Sequence, residues 1–258
     1  MARAKRQYPG NYMTVGFNYY RKLWHMAGLS LPVILYLDLF AFLGSYFSDP
    51  SRAVLILFSV TSIPILFLLD LKRFRSPAFA DLAERVLGRV MKQEERVRFN
   101  AIIPYMMANT LLLFFMGRDV VIVSMILLSV GDPAAAIFGE YFGKHRFRNG
   151  KSLEGLFGFI LVGMLCCLLF LYINGLAPAA DRLILLTHGK LQSGPLGAVT
   201  AAILAGAIAE FFSDSACKGL VDDNLLVPLS AALALITTGY LFFHQPLEVL
   251  LSNLLQIS

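Results

Sequence analysis

The chain is short of charge. Of its 258 residues, 15% are Asp, Glu, Lys or Arg and 57% are hydrophobic, where a soluble domain carries about 25% charged residues. That deficit excludes an ordinary soluble domain and points to an integral membrane protein. Cysteine is scarce too. Cys166 and Cys167 are neighbours in an apolar run and Cys217 stands apart, a spacing that makes neither a disulfide framework nor a zinc site, so all three read as packing residues. No internal repeat and no low-complexity tract occurs. A secretory signal is also missing: residues 1–22 are basic and polar, without a short apolar segment and a small-residue cleavage site, and are expected to form a cytoplasmic lead-in.

What is abundant is apolar sequence in long runs. A hydrocarbon core of about 30 Å takes about 20 helical residues to cross. Seven stretches qualify: 24–46, 53–71, 100–116, 119–138, 155–176, 197–213 and 225–243. Three of them (100–116, 119–138 and 197–213) are short or interrupted, so six spans also fit. Lipid cannot satisfy an open sheet edge. The expected fold is therefore an all-α integral membrane bundle of about seven transmembrane helices, with residues 1–258 forming one membrane-embedded domain.

With a cytoplasmic N-terminus and seven crossings, residues 1–22, 72–99, 139–154 and 214–224 share one side. They hold 18 of the 22 Lys and Arg, leaving Arg52, Arg118, Arg182 and Lys190 opposite. The positive-inside rule assigns the basic side to the cytoplasm, of a bacterial inner membrane or of the endoplasmic reticulum. Tyr19, Tyr20 and Trp24 suit an aromatic belt. The net charge of +5 thus reports topology and implies no nucleic acid; oligomeric state leaves no trace. In the 72–99 loop, Ser76-Pro77 is a helix start. Phe79, Leu82, Ala83, Val86, Leu87, Val90 and Met91 follow three and four apart. This spacing predicts an amphipathic helix, either lying on the membrane surface or covering the inner ends of the spans. The outer loop 177–196 carries no cluster of reactive groups.

Chemistry gathers in SVGDPAAAIFGEYFGKHRFRNGKSLEGLFG, Ser129 to Gly158. Asp132 falls near the inner end of the fourth span, where a carboxylate costs several kcal/mol unless paired, hydrated or cation-bound. Pro133 beside it predicts a bent or broken helix opening onto a polar cavity. A structural pairing with a nearby Arg is the plainer alternative. Gly139 and Gly143, a small-xxx-small pair, either let two helices approach or, with Lys144, His145, Arg146 and Arg148 following, face a phosphate-bearing ligand. Asn149-Gly150 suits a type I′ turn of a short β-hairpin-like basic loop. NGKS is not a P-loop, because its first glycine would fall on His145 and no strand precedes it. Lys151, Ser152, Glu154 and Gly155 then stand at the mouth of the fifth span, where Lys151 supplies a point charge for phosphate or anchors the span.

A second acidic group runs from Ala209 to Pro228, with Glu210 at the inner end of the sixth span and Asp214, Asp222, Asp223 and Asn224 after it. Carboxylates, an amide and cations on one face are the ingredients for Mg²⁺ bound together with phosphates. A solvated acidic loop is the alternative. Arg21, Lys22 and His25 either join that face or anchor the first span.

Taken together, Gly131-Asp132-x-x-Ala135, Gly139-x3-Gly143, Lys151-Ser152-x-Glu154-Gly155, Glu210 and Asp223-Asn224-x3-Pro228 resemble the CTP-dependent lipid kinase family. That family contains dolichol and polyprenol kinases, phytol kinases and yeast-type diacylglycerol kinases, and is related to phosphatidate cytidylyltransferases. Arg21-Lys22-x-x-His25 resembles the opening of many members. The resemblance covers Arg21 to about Leu233, and Lys151-Ser152-Leu153-Glu154-Gly155 leans it toward dolichol kinases. It implies transfer of the γ-phosphate of CTP to a membrane lipid alcohol at the cytoplasmic face. Mg²⁺ would be held by Asp132 with Glu210 or Asp222-Asp223. Lys151 with Lys144 or Arg146 would neutralise the phosphoryl group, and Asp132 or Glu210 would take the hydroxyl proton. Gly139, Gly143, Ser152, Glu154, Gly155 and Asn224 would complete the nucleotide site. Two other readings stand beside it: a phosphatidate cytidylyltransferase, and a transporter built on a helix broken at Gly131-Pro133.

Overall fold

A computed structural model describes residues 19–88, 97–177 and 182–252. Among them the chain forms α1 (Tyr19–Ala27), α2 (Ser30–Leu37), α3 (Pro50–Arg75), α4 (Pro77–Leu87), α5 (Ile102–Phe115), α6 (Arg118–Ile126), α7 (Asp132–Phe142), α8 (Leu153–Leu176), α9 (Ser193–Phe212), α10 (Asp223–Phe243) and α11 (Leu247–Leu250). Sheet among the described residues is limited to β1 (Leu186–Thr187) and β2 (Lys190–Leu191). His188 and Gly189 turn between them, both at positive φ, the geometry of a type I′ hairpin. The all-α membrane architecture expected from composition is what the chain adopts.

Among the described residues, five helical segments are long and apolar enough to cross a membrane: Pro50–Arg75, Arg118–Phe142, Leu153–Leu176, Ser193–Phe212 and Asp223–Phe243. Two of the seven anticipated runs do not form a single helix of spanning length. The 24–46 run is not one helix, because α1 ends at Ala27, α2 ends at Leu37, and Asp38 closes α2 in the left-handed conformation. The 100–116 run yields only the 14 residues of α5, about 21 Å of helix, less than the hydrocarbon thickness. It stops because Met116 turns extended and bridges to Leu251, while the Gly117 N–H donates to the Leu250 carbonyl at 2.8 Å.

The core is built around α6. Val120, Val121, Ile122, Val123 and Met125 are all buried whichever way they point, so other helices surround this one. α9 meets α10 along a seam of small residues, Ala198, Ala202, Gly206 and Ala207 against Ala231 and Ala232, the close-approach chemistry expected where lipid supplies no hydrophobic drive. α3 packs on α5 at the edge and leaves Leu57, Ile65 and Leu68 exposed. α4 starts where expected, with the Ser76 hydroxyl accepting from the Phe79 N–H. Its Leu82 and Val86 point away from the protein, as a helix lying on a membrane surface requires. The remainder of that loop and the lead-in 1–18 lie outside the described residues.

The end of the bundle opposite the candidate chemistry is richer than the sequence suggested. Asp119 is fully buried. It accepts hydrogen bonds from the Leu183 N–H at 2.6 Å and the Asn174 amide at 2.8 Å, with Arg182 at 3.4 Å. One carboxylate thereby joins α6, the end of α8 and the loop beyond. Nearby, Asp49 pairs with Arg52 and Arg118, both at 3.0 Å, and Arg52 donates to the Leu113 and Met116 carbonyls that α5 leaves unpaired. Burial pushes the Asp49 carboxyl up, but Arg118 and Arg52 outweigh it and hold the group below its ordinary value.

Two outcomes follow from these pairs. Asp119→Ala strands buried donors and should cost about 3–5 kcal/mol, seen as a lowered unfolding midpoint of detergent-purified protein; an unchanged midpoint would contradict the network. For Asp49 the folded value lies below the unfolded one, so its stabilisation is present above the unfolded value and is lost as pH falls through the folded one. Wild type should lose thermal stability below about pH 4, and Asp49→Asn should be less stable at neutral pH with a flatter acid limb.

Candidate active site

The helix does not break at Asp132. α6 passes into α7 through a π-helical turn, Leu127–Gly131, with helical dihedrals on both sides. Pro133, lacking an N–H, sits in the first turn of α7, and the wide turn absorbs the missing hydrogen bond. The broken helix on which a transporter reading would rest is therefore replaced by a local widening. The Asp132 carboxylate is buried and lies 3.4 Å from His25 Nδ1 at the end of α1. Of Arg21, Lys22 and His25, His25 is on this face; the Arg21 and Lys22 side chains lie outside the described ones.

α7 then crosses α8 at very short range. A Cβ added to Gly155 would sit 2.7 Å from the Ala135 carbonyl oxygen and 3.5 Å from the Gly139 Cα. Gly139 and Gly155 thus hold two backbones together, the helix-approach role, and both also border the pocket below. Between the helices runs a tight loop. Arg146 and Ser152 form an antiparallel bridge. The Gly150 N–H donates to the Phe147 carbonyl, and the Phe147 N–H donates to the Lys151 carbonyl. Gly150 alone takes positive φ, at 80°. This is a type I turn with a glycine bulge rather than the anticipated type I′ turn, which would need Asn149 at positive φ as well. Asn149 is held elsewhere: its amide donates to the Phe211 carbonyl at 2.7 Å and its oxygen accepts from the Lys151 N–H.

That tether delivers Lys151 to Glu210. Nζ lies 2.9 Å from Glu210 Oε1 and 3.2 Å from Ser213 Oγ, and also donates to the Glu210 carbonyl. Arg146 donates to the Gly139 carbonyl at 2.9 Å and the Gly150 carbonyl at 3.2 Å. Together these groups surround a cavity of about 210 Å³ with Asp132 inside it and Asp223, from the start of α10, on its wall.

Of the residues singled out in the sequence, Asp132, Gly139, Arg146, Lys151, Ser152, Gly155, Glu210 and Asp223 line this cavity. Five others do not. Gly143 caps α7, and Lys144 is exposed beyond it. Glu154 accepts from the His145 N–H and meets its ring nitrogen at 2.7 Å. Asp222 caps α10, and Asn224 is buried with its amide on Asp222 and Asp223. Asp222, Asn224 and Glu154 thus contact their own neighbours rather than the cavity. Two residues were not singled out for the site. Glu140 lines the cavity two turns beyond Asp132, and Asn149 positions Lys151; the eight-residue helical spacing would have flagged Glu140.

Among the described residues no three His, Cys, Asp or Glu side chains are grouped to hold a metal on their own. Asp132, Glu210 and Asp223 share one cavity, and Mg²⁺ commonly takes only one or two carboxylates with water and phosphate oxygens. The donor set therefore fits a cation brought in with a phosphate ligand. Chemically, the cavity offers cations to an anionic ligand and carboxylates to a cation or a proton.

No family model matches the chain, and no solved structure matches it. Curated relatives do. Over 168 residues, 63% of this chain, it is 29% identical to CTP-dependent diacylglycerol kinase 1 of Schizosaccharomyces pombe, covering 71% of that protein. It is 30% identical to the proteins of the same name from Eremothecium gossypii and Saccharomyces cerevisiae, covering 53% and 59% of them. The chain thus spans less than two thirds of two of these three relatives. The similarity to CTP-dependent lipid kinases anticipated from the motifs is borne out.

The crossing is testable by itself. Gly155→Ala must push α8 from α7 and should cost about 1–3 kcal/mol. Gly206→Ala, whose added carbon meets nothing nearer than 3.4 Å, should be tolerated. Equal thermal midpoints for the two variants would show that the helices are not held as close as described.

Proposed function

From its kinship with CTP-dependent diacylglycerol kinases, we propose that the chain transfers the γ-phosphate of CTP to the hydroxyl of a membrane lipid alcohol. Diacylglycerol, the substrate in its relatives' names, is the first candidate acceptor; dolichol or another polyprenol and phytol are the others. The observation that carries the reading is the cavity itself. It pairs Lys151 and Arg146 with Asp132, Glu210 and Asp223 at one end of an apolar bundle, where a water-soluble nucleotide and a lipid hydroxyl can meet.

In this reading the lipid hydroxyl oxygen bonds to the γ-phosphorus while the bond from phosphorus to the β–γ bridging oxygen breaks, releasing CDP. Such transfer needs positioning and charge stabilisation more than covalent chemistry. Lys151 and Arg146 face the phosphates. Asp132 accepts the hydroxyl proton, with His25 beside it fixing the carboxylate. Asp132, Glu210 and Asp223 would hold Mg²⁺, which when bound neutralises phosphate charge. The site faces the cytoplasm if the basic end of the bundle follows the positive-inside rule, and residues 1–258 act as one catalytic domain.

The test uses purified protein with Mg²⁺ and γ-labelled CTP or ATP, offered diacylglycerol, a polyprenol and phytol separately. Label should enter one lipid with CTP. Asp132→Asn and Lys151→Met should each lower turnover about 100-fold or more, the scale of a lost charge-stabilising group. Full CTP-dependent activity in Asp132→Asn would remove that residue from the chemistry. Pyrophosphate release with phosphatidic acid, and no labelled lipid, would replace the kinase with a cytidylyltransferase.

A further inference from the structure

Among the described residues, every charged group facing the cavity but one has a partner in the fold. Lys151 holds Glu210, Arg146 holds two carbonyls, Asp132 faces His25, and Asp223 takes the Asn224 amide. The exception is Glu140. It lines the same cavity, is exposed, and among the described residues makes no hydrogen bond or ion pair. An unneutralised carboxylate is out of place in a cavity meant only for phosphate, since it would repel the ligand.

Its position gives it another task. Asp132 and Glu140 lie eight residues apart on α7, about 12 Å along the helix axis at 1.5 Å per residue. Asp132 is at the buried end and Glu140 at the open end. Level with Glu140, the Arg146 guanidinium sits on the carbonyl of Gly139, the residue before it. With the γ-phosphate beside Asp132 and Lys151, a nucleotide laid along α7 would place its base at the mouth, where Arg146 and Glu140 both line the cavity. There an ionised carboxylate accepts hydrogen bonds and donates none. Cytosine presents a 4-amino donor, to which Glu and Asp side chains pair, whereas a keto oxygen at that position offers only an acceptor.

We infer that Glu140 reads the exocyclic amino group of the nucleobase, admitting amino bases and rejecting keto bases. The inference rests on the nucleotide-binding reading above. It does not separate cytosine from adenine, which also carries an amino group; ring size at the mouth must do that.

The test measures dissociation constants of CTP, UTP and ATP for the purified full chain without lipid acceptor, in wild type and Glu140→Gln, followed by label transfer. Gln can donate as well as accept, so the variant should bind CTP more weakly and UTP more tightly. The CTP-to-UTP preference should narrow about 10- to 100-fold, the worth of a charge-assisted hydrogen bond. ATP should weaken alongside CTP. A wild type without preference for CTP over UTP, a ratio unchanged in the variant, or an equal loss for both nucleotides would each overturn the inference. A ratio that narrows as expected while no lipid alcohol is ever labelled would uphold the base contact and sink the kinase reading.

Discussion

Lys151 meeting Glu210 is the contact that assembles the site end of the molecule. Glu210 is 7% exposed near the end of an apolar helix, and a carboxylate left alone there would be strongly unfavourable. The ammonium that answers it comes from a loop nearly sixty residues earlier, so the pair fixes the hairpin against α9. The same loop serves the helix end directly. Glu210 and Phe211 carry carbonyls that α9 cannot use within itself, and they accept from Lys151 and Asn149. Arg146 does likewise for Gly139 near the end of α7. A short basic hairpin thus caps two helix C-termini, where the backbone dipoles already favour positive charge.

The hairpin reaches both ends only because α7 and α8 run so close. With Gly139 and Gly155 backbone against backbone, the loop joining the helices is drawn over the crossing instead of splaying outward. Ser152, which starts α8 by accepting from the Gly155 N–H at 3.1 Å, lies in the same contact. One turn earlier, the π-helical segment widens the backbone at Ser129 to Gly131 and presents Asp132 to the cavity without ending the helix. Gly131 packs on the Phe159 ring, which would lie 2.7 Å from an added Cβ. Sequence features that read as a phosphate motif are therefore also the packing rules of a helix pair. The close crossing is what makes a cavity from them.

Much of this was legible beforehand and some of it was not, for identifiable reasons. Long apolar runs report helices faithfully, so α3, α8, α9 and α10 fall where expected. The first and third runs misled because hydropathy is blind to backbone conformation. Nothing apolar marks Asp38 in the left-handed region, or Met116 turning to meet Leu251. Asp132, Lys151 and Glu210 were found by their cost, since a charge in an apolar helix asks for a reason. Glu154, Asp222 and Asn224 were charged or polar in the right loops but face their own neighbours, which only side-chain direction decides. Glu140 escaped because a carboxylate after a glycine at a span end looks like solvated surface. Asn149 was read for its backbone, while its side chain carries the tether.

The two ends of the bundle differ in one respect that separates support from chemistry. Asp119 is fully buried, and its oxygens accept from a backbone N–H, an amide and a guanidinium. Such a carboxylate is committed to the fold, and removing it should loosen the structure. At the other end the groups are held but not exhausted. Lys151 keeps a side chain one quarter exposed, Arg146 donates to carbonyls that impose no countercharge, and Glu140 has no partner among the described residues. Burial alone therefore does not distinguish the cavity carboxylates in this chain, because Asp119 is the more buried. The distinguishing property is hydrogen-bonding capacity kept open toward a cavity, at a site whose neighbours are already locked by caps and close helix contact.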